Sequence, residues 1–119
     1  MIDWKKNELL PVIIQDYKNK MVLMLAYMNE EAYNLTKETG YVHYFSRSKN
    51  RIWKKGEVSK HFQEVKEIFI DCDQDTILIF IKQNGVACHT GYESCFFKSI
   101  TKDEIIFKTK LDLSKTYFH

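Results

Sequence analysis

Residues 62–83 read FQEVKEIFIDCDQDTILIFIKQ, two apolar runs separated by the acidic sequence DCDQD. Both runs are rich in β-branched and aromatic residues, which favour extended structure. A short polar stretch between two such runs is typical of a hairpin. We therefore predict two antiparallel strands joined by a loop at residues 71–75, and this hairpin is the clearest structural signal in the chain.

Two more strands are predicted upstream, in residues 10–28, around a polar turn at residues 16–20. Asn29 is expected to cap a helix, because its side chain accepts a hydrogen bond at a helix start. The helix should run to about Thr39 and stop at Gly40, since glycine tolerates the left-handed conformation that ends many helices. Its inner face is expected to carry Ala32, Leu35 and Thr36.

After the helix, the sequence YVHYFS at residues 41–46 predicts another strand. Residues 47–61 are mostly polar and predict a long connection without regular structure. Ile52 and Trp53 interrupt its polar character, and we expect them to anchor this connection to the core.

The remaining third of the chain begins with a glycine-punctuated loop at residues 84–94. Residues 95–100, CFFKSI, predict a final core strand, and residues 101–119 a further strand or a tail. Strands thus outnumber helices. The predicted class is α+β, a mainly antiparallel sheet with one principal short helix.

Size and composition limit the possible functions. The chain has 119 residues and a net charge of +2, which suits a single domain, residues 1–119, without general affinity for nucleic acid. Its apolar runs are too short to cross a bilayer, and its first residues lack the apolar segment of a signal peptide. Three cysteines, an odd number, do not predict a disulfide framework, so we expect free thiols and a cytoplasmic location.

The cysteines lie close together in the sequence, at Cys72, Cys88 and Cys95. Their spacing differs from the closely spaced pairs of structural zinc sites, but three thiolates with one open position are a ligand set expected of a catalytic zinc. Bound zinc lowers the pKa of water from 15.7 to roughly 7. The alternative is that the three are independent buried thiols.

Three carboxylates alternate in the hairpin loop, at Asp71, Asp73 and Asp75. In an extended segment they would project to one face and Cys72 to the other. Such a cluster suits Mg²⁺ or Ca²⁺, and the alternative is a solvated turn. An EF-hand is excluded, because Thr76 stands where its glycine is needed. If Cys72 binds a soft metal, the alternation implies a second, hard-metal site on the opposite face. The soft site would be completed either within one chain or across a dimer interface.

Residues 43–61 are strongly basic, with a single acid, Glu57, and several aromatic side chains that include Trp53. Such a stretch is suited to RNA or to a phosphorylated nucleotide. The alternative is a solvated basic loop. Its basic residues are Arg47, Lys49, Arg51, Lys54, Lys55 and Lys60.

His89 is the histidine most closely associated with the cysteines, since it directly follows Cys88. An imidazole exchanges protons near neutral pH and would serve as a general acid or base beside a metal. A lone histidine is more often a packed or surface residue. Only the adjacency to Cys88 makes His89 a better candidate for proton transfer than His43 or His61.

Three stretches together resemble phosphoribosyl-AMP cyclohydrolase, a family of hydrolases that act on a cyclic amidine C–N bond in histidine biosynthesis. They are MVLMLAYMNEEAYNLTKETGYVHYFSRSKNRIWKKGE, DCDQD and ACHTGYESCF, and the resemblance covers roughly residues 10–97. It implies a homodimer that hydrolyses the N1–C6 bond of the adenine ring of phosphoribosyl-AMP. N1 of this substrate carries a second ribosyl phosphate, so the ring is cationic and C6 is electrophilic.

The resemblance also implies the roles of the candidate residues. Zn²⁺ would bind Cys72, Cys88 and Cys95, with Cys72 contributed across the dimer interface. Mg²⁺ would bind Asp71, Asp73 and Asp75, and His89 would relay protons. The substrate would contact Arg47, Arg51, Trp53 and Lys55, and the partners would include neither nucleic acid nor a membrane.

The chain departs from the family pattern at three positions. Phe45 stands where tryptophan is expected, Lys60 where glycine is expected, and Val86 where proline is expected. None of these positions is a proposed metal ligand. We also expect the pyrophosphohydrolase domain that is fused to some relatives to be absent.

A small RNA-binding module is the competing hypothesis. Its cysteines would be structural and its basic stretch would be the binding surface. The two hypotheses differ in whether activity requires Cys88, and in whether Arg47 and Lys55 support a salt-dependent affinity for RNA.

Overall fold

The computed structural model describes residues 2–106. The strands of this part of the chain form three sheets, and one helix accompanies them. In chain order they are β1 (Leu10–Asp16), β2 (Val22–Met28), α1 (Glu30–Thr39), β3 (His43–Ser46), β4 (Arg51–Lys54), β5 (Gln63–Ile70), β6 (Ile77–Gln83), β7 (Lys98–Ser99) and β8 (Glu104–Ile105).

The central sheet has four strands in the order β2-β1-β6-β5. The predicted hairpin is confirmed as β5 and β6, with Ile70 opposite Ile77 and a bulge between Val65 and Glu67. The β1–β2 and β5–β6 pairs are antiparallel, whereas β1 and β6 are parallel. The fold is therefore α+β with a mainly antiparallel sheet, and its central pair joins strands that are far apart in the sequence.

Alternate residues of the two central strands point into the core. Side chains at a spacing of two lie on one face of a strand, and here that face is fully buried. The buried residues are Val12 and Ile14 on β1 and Ile77, Ile79 and Ile81 on β6, none of which is exposed to solvent.

Helix α1 begins and ends as predicted. The Asn29 side chain accepts a hydrogen bond of 2.9 Å from the Ala32 N–H, and Gly40 ends the helix at a φ of 78°. Ala32 and Thr36 are fully buried, and the Thr36 hydroxyl accepts a 2.9 Å hydrogen bond from the His43 N–H. The helix is thereby fixed against the start of β3.

The expectation that residues 47–61 lack regular structure is wrong. Arg51–Lys54 form β4, which pairs with β3 and places Trp53 opposite Tyr44. The ring centroids of this pair lie 5.1 Å apart. Both strands are short, and β4 begins and ends with a charged residue. The pairing depends on the packing of the aromatic side chains more than on an alternating pattern.

The expectation of a final core strand at residues 95–100 is also wrong. Only Lys98–Ser99 pair there, with Glu104–Ile105, and Ile100 is 93% exposed. Residues 107–119, the rest of the predicted strand or tail, lie outside the described residues. Within residues 2–106, no helix has the length and apolar character needed to span a bilayer.

A buried polar network joins β3 to the central sheet. The Tyr44 hydroxyl donates to Gln63 Oε1 at 2.5 Å, and Gln63 Nε2 donates to Gln83 Oε1 at 2.8 Å. Gln83 Nε2 in turn donates to the carbonyl oxygens of His61 and Asn84, at 3.2 and 3.1 Å. Because an unpaired polar group would be costly here, this network fixes how the loop after β6 leaves the sheet.

Lys60, which stands where the family pattern has glycine, has a φ of +67°. A side chain in this left-handed region costs roughly 1–2 kcal/mol, which exceeds the entropic cost of glycine. We predict that Lys60→Gly raises the free energy of unfolding by roughly 0.5–1 kcal/mol, measured by urea denaturation.

Val58→Gly is the matched control, because Val58 is exposed and does not have a positive φ. It should lower the free energy of unfolding by roughly 0.5–1 kcal/mol. Equal destabilisation by the two substitutions would contradict the strain assigned to Lys60.

Candidate active site

A cleft of about 470 Å³ lies beside the β3–β4 hairpin. Its walls are β4 and the turn at residues 55–59, and His89 closes one side. Four residues predicted to act on substrate line this cleft together, three from one short stretch and the fourth, His89, from a distant loop. They are Arg51, Trp53, Lys55 and His89.

Arg47, the fifth predicted residue, lies in an adjoining open groove. Its guanidinium stacks on the Tyr27 ring at 4.0 Å from the centroid, and Trp53 lines both the groove and the cleft. A stacked guanidinium keeps its edge free for planar recognition of phosphate. The two concavities therefore form one surface with Trp53 at its centre.

The cleft is positively charged. Four basic side chains line it against one acid, Glu57. Glu57 pairs with Arg51 at 2.8 Å, and both side chains remain substantially exposed, so this ion pair adds little stability. It orients the Arg51 guanidinium at the cleft edge. The basic residues are Lys49, Arg51, Lys54 and Lys55.

Two of the three cysteines come together. The Cys95 thiol lies beside that of Cys88, whose side chain is almost completely buried, whereas Cys95 is exposed at the protein surface. Desolvation of the Cys95 thiol, followed by the charge of Cys88, raises its pKa to about 11, and Lys55 opposes the change. Two soft ligands in contact suit a metal such as Zn²⁺, which would replace the protons.

The loop that carries these thiols is held at both ends. Cys95 N–H donates to the Leu23 carbonyl at 2.7 Å, and the Ser94 hydroxyl donates to the Val22 carbonyl at 2.7 Å. At the other end, the Lys55 ammonium donates to the Ala87 carbonyl at 2.7 Å. The loop is therefore fixed between the edge strand β2 and the wall of the cleft.

The carboxylates of Asp71, Asp73 and Asp75 converge, as predicted, with oxygens within 4.8 Å of one another. The reason given for this convergence, an extended segment, is wrong. Residues 71–75 form a turn, in which the N–H groups of Asp75 and Thr76 donate to Asp71 Oδ1 at 2.9 and 3.1 Å. The loop thus curls around the Asp71 carboxylate.

The charges of the cluster are strongly coupled. Desolvation raises the pKa of Asp71, but the donated N–H groups of Asp75 and Thr76 outweigh it and lower the pKa overall. The pKa of Asp73 is raised, first by its hydrogen bond with Asp75 and then by desolvation and by Asp71. A hard cation among these oxygens would offset their mutual repulsion, so the oxygen donor set fits Mg²⁺ or Ca²⁺.

Cys72 lies in the same turn and is exposed. Within residues 2–106, the three cysteine thiols do not gather into one group, whereas the three carboxylates do. One chain alone therefore offers two of the three thiols predicted to bind zinc.

Two residues at the site were not singled out from the sequence. Tyr44 is buried, and burial, followed by the charge of Cys95, raises its pKa well above the ordinary value. His61 bonds the Val86 backbone, and desolvation lowers its pKa, with the nearby Lys55 charge acting in the same direction. The sequence gives no sign of either role, because Tyr44 resembles any aromatic residue of a strand and His61 any histidine of a polar stretch.

Residues 24–97 match the family described as phosphoribosyl-AMP cyclohydrolase. This range includes every candidate site residue, among them the three cysteines and the three aspartates proposed as metal ligands. The phosphoribosyl-AMP cyclohydrolase of Methanocella arvoryzae is 58% identical over 104 residues, which cover 87% of this chain and 87% of that relative. The phosphoribosyl-AMP cyclohydrolase of Streptococcus thermophilus is 59% identical over 99 residues, 83% of this chain and 88% of that relative.

A further relative is the histidine biosynthesis bifunctional protein HisIE of Wolinella succinogenes. It is 62% identical over 102 residues, which cover 86% of this chain but 44% of the relative, so the chain spans less than half of that bifunctional protein. The chain belongs to the phosphoribosyl-AMP cyclohydrolase family, hydrolases that carry out the ring-opening step of histidine biosynthesis.

Proposed function

We propose that this chain opens the adenine ring of phosphoribosyl-AMP with zinc held by cysteines beside the basic cleft and with Mg²⁺ held by the hairpin loop. One observation carries the proposal. Two neighbouring thiols, on a loop bonded to β2, lie close to Lys55, and Lys55 lines a cleft with a histidine, a tryptophan and three further basic side chains.

Zinc fits the paired thiols by the chemistry of the donors. Cys88 and Cys95 would supply two thiolates, and a third thiolate completes the ligand set of a catalytic site with an open position. When bound, zinc makes hydroxide available at neutral pH. A reducing cytoplasm would keep these thiols from oxidation, and we propose that location for the protein.

The third thiolate, in this proposal, comes from a second copy of the chain. Cys72 is exposed and lies apart from the other two thiols, so a contact between copies would bring it to Cys88 and Cys95. Exposed apolar side chains at Phe96 and Ile105 are available to such a contact. The active unit would be a homodimer with two shared zinc sites.

The cleft and groove suit a substrate with two phosphates. Arg51 and Arg47 would each bind phosphate oxygens, and Trp53 between them would stack on the base. Lys55 is placed at the base of the cleft, beside the thiols. The Asp71 cluster, with Mg²⁺ bound, would hold a further phosphate or ribose oxygen.

The proposed reaction adds water to C6 of the adenine ring. The N1–C6 bond then breaks, C6 becomes the carbon of a carboxamide, and N1 keeps its ribosyl group and takes up a proton. His89 lines the cleft next to Cys88, which suits it to carry that proton from the attacking water to N1. The basic side chains keep the substrate in place during this transfer.

We predict that Cys88→Ser abolishes both zinc binding and turnover, because a hydroxyl replaces one of the thiolates in contact. Metal analysis of the purified protein and an assay with phosphoribosyl-AMP measure the two effects. A chelator should inactivate the wild-type protein in the same assay. Turnover by a zinc-free Cys88→Ser protein would contradict the zinc assignment.

A sharing of zinc across the dimer predicts complementation between two inactive variants. A Cys72→Ser chain paired with a Cys88→Ser chain would hold both defects in one site and leave the other site intact. An equal mixture, after subunit exchange, should recover about one quarter of wild-type activity, since half of the dimers are mixed and each has one intact site. No recovery after verified exchange would mean that Cys72 acts within its own chain or not at all.

For the magnesium site, we predict that Asp73→Asn raises the Mg²⁺ concentration for half-maximal activity on the order of tenfold, because ligand charge sets the affinity of such sites. Asp103→Asn is the control, since Asp103 is an acid outside the cluster and asparagine tolerates its φ of +50°. The Mg²⁺ dependence of turnover measures both. An unchanged requirement in Asp73→Asn would remove this aspartate from the site.

A further inference from the structure

The Lys55 side chain reaches from the wall of the cleft to the cysteine loop. Its ammonium donates a partly buried 2.7 Å hydrogen bond to the Ala87 carbonyl, 32 residues further along the chain. Burial of a lysine is costly unless its charge has partners. Here the hydrogen-bond partner is the carbonyl directly before Cys88, and Cys95 and Cys88 lie close enough for their charge to act on the ammonium.

The hydrogen bond from Lys55 to Ala87 is the last of several contacts between two segments, residues 55–62 and residues 83–87. Asn84 N–H donates to the Phe62 carbonyl at 2.9 Å, and Gln83 donates to the His61 carbonyl at 3.2 Å. The His61 ring then bonds the Val86 backbone.

Gly85 gives the His61 ring the space it needs, since a Cβ there would lie 2.5 Å from the ring. The φ of Gly85 is +81°, a second reason that glycine suits this position. The contacts thus follow the chain in order from the end of β6 to Ala87. The two segments are fixed to each other up to the residue before Cys88.

We propose that Lys55 is a positioning residue for the cysteine pair, which holds the Ala87 carbonyl so that Cys88 meets Cys95 and His89 faces the cleft. Its positive charge also offsets the negative charge of the two thiolates when a metal is bound. The role is additional to any contact with substrate, and it rests on the proposed zinc site. It connects the substrate cleft to the metal ligands through one side chain.

The test compares three variants of the full chain. Lys55→Met keeps the length and apolar stem of the side chain but removes the donor and the charge. Lys55→Arg keeps both the donor and the charge. Lys54→Met is the matched control, because Lys54 lines the same cleft but lies over the Tyr41 and Phe62 rings and not at the cysteine loop.

Zinc affinity, measured by competition with a chromophoric chelator, is the main readout. Removal of a group that orients metal ligands typically lowers affinity 10- to 100-fold, and we expect about that loss in Lys55→Met. Lys55→Arg should recover most of the affinity, and Lys54→Met should retain it. KM for phosphoribosyl-AMP at saturating zinc is the second readout, and it reports the loss of a substrate contact separately from the loss of metal affinity.

Two results would overturn the inference. If Lys55→Met keeps wild-type zinc affinity while its KM rises, Lys55 is a substrate contact only. If Lys55→Met and Lys54→Met lose zinc affinity equally, the effect is that of cleft charge and not of the Ala87 contact. Should Lys55→Met fail to fold, Lys55→Leu also removes the donor and the charge, with a shorter apolar side chain, and gives the same comparison.

The experiment distinguishes failure of the proposed zinc site from failure of this inference alone. If the zinc site is wrong, wild-type protein and Cys88→Ser have the same zinc affinity, and both proposals fall together. Loss of zinc in Cys88→Ser, combined with unchanged affinity in Lys55→Met, would leave the zinc site standing and reject the positioning role of Lys55 alone.

Discussion

The parallel pairing of β1 with β6 is the constraint on which the rest of the structure depends. The buried face of these two strands consists of valine and isoleucine side chains without solvent exposure. A register shift of one residue would turn that face outward, so the pairing of Val12 with Ile77 and of Ile14 with Ile79 is fixed by burial. β2 and β5 complete the sheet by pairing directly with β1 and β6, and β3 packs in turn against β2.

The cysteine loop is a direct consequence of that arrangement. It leaves the end of β6 and crosses to β2, at the edge of the sheet, where Ser94 and Cys95 bond the Val22 and Leu23 carbonyls. An edge strand has backbone groups that no neighbouring strand uses. Here they anchor the loop, so that the outer edge of the sheet determines where the thiols lie.

Buried polar groups define the position of the cleft relative to the sheet. Tyr44, Gln63 and Gln83 form a continuous chain of hydrogen bonds. Within residues 2–106, no buried side-chain nitrogen or oxygen lacks a partner. A satisfied network of this kind is rigid and specifies one arrangement. The aromatic ring of Tyr44 then supports Trp53, the residue shared by the cleft and the groove.

The sequence predicted the parts of the fold that local chemistry determines. The β5–β6 hairpin follows from its alternating and β-branched residues, and the ends of α1 follow from Asn29 and Gly40. The β1–β6 pairing is a contact between distant segments that no local pattern encodes. Strand β4 was missed for the same reason, since its charged residues are extended only because β3 lies beside them.

The sequence indicated which residue types belong to the candidate site, but it did not indicate how they are arranged in space. The acidic loop was expected to bring its carboxylates together, and it does, but through a turn closed by Asp71. The spacing of the cysteines did not indicate which of them meet. That depends on β2 and Lys55, which lie far from the cysteines in the sequence.

The turn at residues 71–75 has a physical consequence for the proposed metal sites. Cys72 lies between Asp71 and Asp73, and the backbone of the turn is already bonded to the Asp71 carboxylate. A cation bound by the carboxylates would remove their mutual repulsion and further restrict this backbone. With both proposed sites filled, the hard cation would therefore reduce the entropy that Cys72 loses on binding zinc, and by reciprocity zinc would favour the hard cation. The two metals would then be coupled through the peptide backbone of the turn and not through any shared ligand.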